Sequence, residues 1–167
     1  AVLAPRALRV TVITRDPARA TPPGGAAVLA AGDPAVSDVL RAADVVVCAT
    51  TARTPLFDAD LIADTAVVIA VGTHEPDARE LPAALCARAT VVVEDVATAL
   101  REAGDVCLAV EEDALRPADL VPMRDVVTGR TVPDPDRPLV FKSVGMSWQD
   151  LVVAEAVLSA SAGDAAS

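Results

Sequence analysis

The chain has 167 residues, which suits one domain and is long enough to bury a real core. It is 53% hydrophobic and only 2% aromatic, so that core has to be built from Ala, Val and Leu. A formal net charge of -10 argues against nucleic acid or an anionic membrane surface as partner, since both reward Lys and Arg.

No apolar run approaches the roughly 20 residues needed to span a bilayer as a helix. The opening AVLAPRALRV lacks the long apolar region of a signal peptide. Cys48, Cys86 and Cys107 are odd in number and show no metal-type spacing, and no metal site is expected. Cys48 sits inside an apolar run and reads as a small core residue. A reducing, cytoplasmic setting follows from this cysteine usage.

In chain order, Ala1–Leu8 gives a few helical residues broken by Pro5, with no start signal. Arg9–Thr14 (RVTVIT) alternates, is β-branched and reads as a strand, ended by Arg15-Asp16-Pro17. Ala18–Ala31 is interrupted by Pro22, Pro23, Gly24 and Gly25, so a helix there is short or broken. Val36–Ala42 reads as one or two helical turns. Val45–Ala49 and Ala66–Val71 are short, continuous apolar runs rich in Val and Ile, as expected of strands buried on both faces of a parallel sheet. Asp58–Ile62 is a short helical piece between them. Leu81–Arg88 reads as helix and Thr90–Val93 as a third buried-type strand. Asp95 is placed to cap a helix over Val96–Ala103, with Gly104 to end it.

Asp105–Val110 reads as a short strand, and Glu111–Val127 as short helical pieces closing at Gly129. Val132–Pro138 holds three prolines and is a loop. Leu139–Lys142 is a last strand, turned by Ser143-Val144-Gly145. Ser147 with Asp150 three residues later matches a capping-box-like start. The helix from Trp148 to about Ala160 is apolar nearly all round, so burial is expected, with Trp148 in the core. Ala162–Ser167 is a tail.

Strands alternating with helices predict an α/β doubly wound sheet. Ligands of open parallel sheets bind where strand carboxyl ends give way to loops. Two such loops stand out: Thr50–Pro55 after the Val45 strand and Gly72–Pro76 after the Ala66 strand.

The series ITRDPARA (13–20), ADVVVCATTARTPLF (43–57), AVGTHEPDAREL (70–81), VVVEDVATALREAGDV (91–106) and VFKSVGMSWQDLVVAEAV (140–157) resembles the ornithine cyclodeaminase/mu-crystallin family in order and spacing. The resemblance implies a Rossmann-like domain, NAD(P) dependence, and an amino or imino acid as small-molecule ligand. It covers the chain from the end of the first Rossmann helix onward. The family's amino-terminal substrate and dimerisation domain, its first Rossmann strand and its G-x-G-x-x-[AGS] loop have no counterpart in these 167 residues. The fold expected is therefore a partial Rossmann-like doubly wound parallel sheet lacking its first strand. It divides into a truncated NAD(P)-binding unit over 1–146, a buried carboxyl-terminal helix over 147–161 and a tail over 162–167. A homodimer is expected of the full-length form.

The resemblance also implies site residues. Arg15 follows the strand that delivers the ribose-reading residue, and an Arg there can hold the 2′-phosphate of NADP. NADP(H) is therefore the expected preference over NAD(H), with Thr14 as helper and the adjacent Asp16 as the opposing signal. Thr50 and Thr51 are expected to contact the cofactor's ribose and nicotinamide end, and Ser143, Val144 and Gly145 to lie beside the nicotinamide. In the cyclodeaminases the loop matching Gly72–Leu81 reads G-G-D-x-P-G-K-x-E-L, with the Asp as acid/base. Here His74 replaces it. A histidine near neutral pH can donate and accept a proton, which suits protonation of an imine during hydride delivery. Arg79 and Glu80 read as a local pair, with Glu80 able to cap the next helix.

The leading expectation is an NAD(P)-dependent reductase of imines or ketimines, or an amino-acid dehydrogenase. The alternatives are ornithine cyclodeaminase (ornithine to proline plus ammonia), which the missing Asp at position 74 disfavours, and a non-catalytic domain that binds a nucleotide or a partner chain.

Overall fold

The computed structural model describes residues 9–164, and side chains through 159. The expected helical residues of Ala1–Leu8 and the end of the tail at 165–167 lie outside the described residues.

The element order is β1 (Thr11–Thr14), β2 (Ala27–Ala30), α1 (Val36–Arg41), β3 (Val45–Cys48), β4 (Val67–Ala70), α2 (Ala83–Arg88), β5 (Thr90–Val93), α3 (Val96–Glu102), α4 (Gly104–Glu111), β6 (Val121–Pro122), α5 (Met123–Val127), β7 (Leu139–Lys142) and α6 (Ser147–Asp164). Short 3-10 turns at Pro17–Arg19, Ala59–Leu61 and Pro117–Asp119 join them. All pairing is parallel. β1 pairs with β2, and a five-stranded sheet runs β3-β4-β7-β5-β6.

This is the partial Rossmann-like sheet expected. In Rossmann order the place between β1 and β3 belongs to another strand. Among the described residues none fills it, so β1 pairs only with β2, and β3 is an edge.

Register builds the core. Val46, Val68, Val140 and Val91 form one row across four strands, and Cys48, Ala70, Lys142 and Val93 form the next. All eight are buried. All but Lys142 meet Leu85 and Cys86 of α2, Ala99 of α3 and Val106 and Ala109 of α4 in one cluster. Each fully buried valine there contributes about 1.5–3 kcal/mol relative to exposure. The opposite face is poorer in cover: Val45 and Val47 of β3 are 48% and 53% exposed.

Several expectations need correction. The Gly/Pro-rich stretch Ala18–Ala31 contains β2 rather than a broken helix. Gly25 takes a left-handed φ of 78° in a turn closed by Ala26 N donating to Pro23 O (3.0 Å), and this turn delivers the chain into the strand. Asp105–Val110 is helical, not a strand. The chain kinks at Ala103 (φ -88°, ψ 96°) and starts α4 at once. Gly104 lets the kink pack tightly against the loop after β4, because a Cβ there would strike the carbonyl oxygens of Ala78 and Glu75.

The start of α6 is also different. Gln149 Oε1, not the Asp150 carboxylate, accepts from Met146 N (3.0 Å), which is the reciprocal half of a capping box. Trp148 is 50% exposed rather than core, and Leu151, Val152, Val153 and Leu158 are exposed as well. The sequence is apolar all round, yet no described element covers this helix.

Candidate functional site at the carboxyl ends of the central strands

Because β3, β4 and β7 are neighbours in a parallel sheet, their carboxyl ends lie side by side. Thr50 and Thr51 follow β3, Gly72–His74 follow β4 and Ser143–Gly145 follow β7. Residues separated by up to 95 positions are thereby brought to one edge. Thr14 and Arg15 sit at the carboxyl end of β1, in the two-stranded sheet.

Beneath this edge lies a buried polar frame. Glu80 is 0% exposed. Its Oε1 accepts from Thr50 N (2.7 Å) and Thr50 Oγ1 (2.8 Å), and its Oε2 accepts from Gly72 N (2.8 Å). The carboxylate thus bridges two strand ends. The backbones come so close that Gly72 is obligatory: a Cβ would collide with Thr50 N and O and with Glu80 Oε1.

Asp105, at the start of α4, extends the frame. Its Oδ1 accepts from Glu80 N (2.7 Å) and Leu81 N (2.8 Å), and its Oδ2 from Thr73 Oγ1 (3.0 Å). Lys142 Nζ lies 3.0 Å from Asp105 Oδ2, and both side chains are 1% exposed. The ammonium also donates to Thr73 O (2.6 Å) and Thr73 Oγ1 (3.2 Å). Removing such a pair from water is costly unless its remaining hydrogen-bonding capacity is met. Here that condition holds, since no buried side-chain nitrogen or oxygen among the described residues lacks a partner.

The frame's negative charge is felt nearby. The Cys48 thiol is pushed up to about 12, first by burial, then by Glu80 and Asp105. Cys48 is therefore a protonated core side chain, not a nucleophile. Cys86 is likewise raised to about 12, chiefly by burial and then by Asp105.

The exposed part of the edge is held from outside as well. Arg53, in the loop after β3, pairs with Glu75 and Asp77 in the loop after β4. His74, between buried Thr73 and this ion-paired stretch, is exposed. The Ser143–Gly145 turn is pinned too. Glu94 Oε2 accepts from Val144 N (3.3 Å), and its Oε1 accepts from Gln149 Nε2 (2.5 Å). Ser143 Oγ accepts from Gly145 N (3.2 Å), and Gly145 is exposed at φ 80°.

At β1, Arg15 is exposed. Asp16 is occupied locally: its Oδ1 accepts from Ala18 N (3.2 Å) and caps the 3-10 turn, while its N–H donates to Thr14 Oγ1 (3.3 Å).

The sequence reading missed Glu80, Asp105, Lys142 and Glu94 as site elements. Arg79 does not pair with Glu80 but with Glu112 (2.7 Å), because Glu80 points inward while Arg79 reaches α4. Two signals were present in the sequence. Lys142 closes a buried-type strand, and Asp105 stands alone in the apolar stretch GDVCLAV. A charge in such a place has to be paired.

The fold and this edge define a Rossmann-like parallel α/β domain. Residues 18–164 match the model of the ornithine cyclodeaminase/mu-crystallin family, and the chain belongs to that family. It is 33% identical over 126 residues to a Delta(1)-pyrroline-2-carboxylate reductase of Colwellia psychrerythraea, covering 74% of this chain and 40% of that protein. Similarity to the ketimine reductase mu-crystallin of Mus musculus is also 33%, over 123 residues, covering 73% of this chain and 37% of the relative. The chain thus spans about two fifths of the length of these curated relatives. Among solved structures, the iminosuccinate reductase of Paracoccus denitrificans in complex with NAD+ superimposes with a TM-score of 0.71 at 28% identity, covering 84% of this chain and 43% of that one.

Proposed function

We propose that this chain is the cofactor-binding part of an NAD(P)-dependent reductase of imino acids of the cyclic imine or ketimine type. The observation that carries this reading is the convergence of Thr50–Thr51, His74 and Ser143–Gly145 at the ends of three adjacent strands, in a chain whose relatives reduce pyrroline-2-carboxylate and ketimines.

A nicotinamide nucleotide fits the donor set of this edge. Thr50, Thr51 and Ser143–Gly145 would line its nicotinamide end, with the Thr51 and Ser143 hydroxyls as donors because the Thr50, Val144 and Gly145 N–H groups are already spent on Glu80, Glu94 and Ser143, and Arg15 would meet its adenosine ribose. When bound, the cofactor supplies the hydride. The protein's part is to hold the nicotinamide face and manage a proton. His74, exposed at the loop tip, donates that proton to the imine nitrogen as the carbon is reduced. Arg15 favours NADP(H) over NAD(H) by pairing with the 2′-phosphate. The capping role of Asp16 leaves Arg15 as the group that reads this phosphate. In this reading the described residues up to 146 form the cofactor unit, and the exposed helix that follows docks against a second copy in a homodimer.

Consumption of NADPH with a cyclic imino acid, followed by product analysis, tests the reading. Formation of the corresponding cyclic amino acid supports it. Conversion of ornithine to proline plus ammonia would transfer the chain to the cyclodeaminases instead. His74→Ala is expected to lower turnover by about 10²–10⁴-fold, the range of a lost general acid, and unchanged turnover would remove His74 from the chemistry.

A further inference from the structure

The ladder between β3 and β4 ends with Val71 N donating to Cys48 O (2.9 Å). Beyond this point the two chains part into the loops that carry Thr50 and His74. The next amide of the β3 chain to look toward β4, Thr50 N, finds no carbonyl. Glu80 Oε1 takes it, together with the Thr50 hydroxyl, and Glu80 Oε2 takes Gly72 N from the other chain. A single carboxylate, reaching back from eight residues past Gly72, therefore replaces the rung that the sheet lacks.

Glu80 is itself fixed. Its N–H donates to Asp105 Oδ1, and its carbonyl accepts from Leu56 N (2.9 Å). Asp105 in turn is bound to Lys142, the residue just before the Ser143–Gly145 turn. One buried frame thus touches all three strand ends, and Glu80 is the member that sets the separation of two of them.

We propose that Glu80 is the positioning residue of the site: it fixes Thr50 relative to the Gly72–His74 backbone so that the edge is preorganised for the nicotinamide end of the cofactor. This inference rests on the reading of the edge as a nicotinamide nucleotide site. Glu80 has no exposed surface and so acts only through the groups that it holds. Charge-assisted hydrogen bonds of this kind are stronger than neutral ones, and holding binding groups in place before the ligand arrives lowers the entropic cost of binding.

The test compares two probes on the full 167-residue chain: NADPH, and adenosine 2′,5′-bisphosphate, which lacks both the nicotinamide and its ribose. Glu80→Gln keeps the shape and an acceptor for Thr50 but sets an amide N–H against Gly72 N. In this variant the affinity for NADPH is expected to fall by about tenfold or more, the size of a lost charge-assisted hydrogen bond. The affinity for adenosine 2′,5′-bisphosphate is expected to stay within a factor of about two, because its only contact in this reading is Arg15 at the end of β1. Equal losses for both probes would mean that Glu80 merely supports the fold, and no loss for either would mean that it positions nothing. Either result overturns the proposal. Absence of NADPH binding by the unsubstituted chain would remove the cofactor reading, and this proposal with it.

Should Glu80→Gln fail to fold, amide exchange in the unsubstituted chain decides. Thr50 and Gly72 amides that are strongly protected before any nucleotide is added support the frame. Exchange at the rate of open loops overturns it.

Discussion

Gly72 is the residue where the site tolerates least change. Any Cβ meets the Thr50 backbone, and the backbone cannot move away without breaking the Glu80 bridge. Gly72→Ala is expected to cost about 1–3 kcal/mol or more through overpacking, measured by urea unfolding, with the loss centred on the β3 and β4 ends in amide exchange. Lys142→Met would leave the Asp105 carboxylate buried without its cation, and a loss of about 3–5 kcal/mol is expected. A change near zero would mean that the pair is compensated elsewhere. The cysteines give an independent check. Cys48 and Cys86 are buried with thiols raised to about 12, whereas Cys107 is only partly buried and raised, chiefly by burial and then by Glu111. Slow iodoacetamide labelling near neutral pH is expected at Cys107 alone, with Cys48 and Cys86 modified only after unfolding. Ready labelling of Cys48 would contradict its burial in the core.

At the scale of elements, α3 offers a pH test. Asp95 accepts from Thr98 N (2.8 Å), and this hydrogen bond, first among its causes, holds its carboxyl below the usual range. A depressed carboxylate pKa contributes stability that is fully present above the unfolded value and is lost as pH falls through the folded one. The Thr98 amide is therefore expected to stay protected at neutral pH and to open in acid. Asp95→Ala should remove that acid dependence and leave the first turn of α3 frayed throughout.

Asp95 is also an element the sequence discloses in full, because an N-cap is a local motif. The buried strands over Val45–Cys48, Val67–Ala70, Thr90–Val93 and Leu139–Lys142 are equally legible, since a parallel core strand is a short apolar run. β2 is hidden because AVLA offers four small residues behind a Gly/Pro turn, and its strand character comes from pairing with β1. The GDVCLAV stretch misleads because periodicity over so few apolar residues does not separate strand from helix. The edge at Thr50, Gly72 and Ser143 follows from strand adjacency and is foreseeable. The partners of Glu80 lie 8 and 30 residues away and become visible only in three dimensions.

Across the whole molecule, the polar frame and the core face are closed while two other surfaces are open. Val45 and Val47 on β3, and Trp148, Leu151, Val152, Val153 and Leu158 on α6, are all about half exposed or more. Apolar exposure on this scale favours association. Sedimentation velocity of the chain is expected to show a species larger than monomer that grows with concentration, and a clean monomer across the range would show that these surfaces are tolerated in water. No helix of the described residues is long and apolar enough to cross a membrane.

In the proposed function the carboxyl-end edge of this Rossmann-like domain receives a nicotinamide nucleotide. Titration of the purified 167-residue chain with NADPH and then NADH, followed by nicotinamide fluorescence, tests it most directly. Saturable binding with NADPH preferred is expected, with loss of that preference in Arg15→Ala. A folded chain that binds neither nucleotide would contradict it.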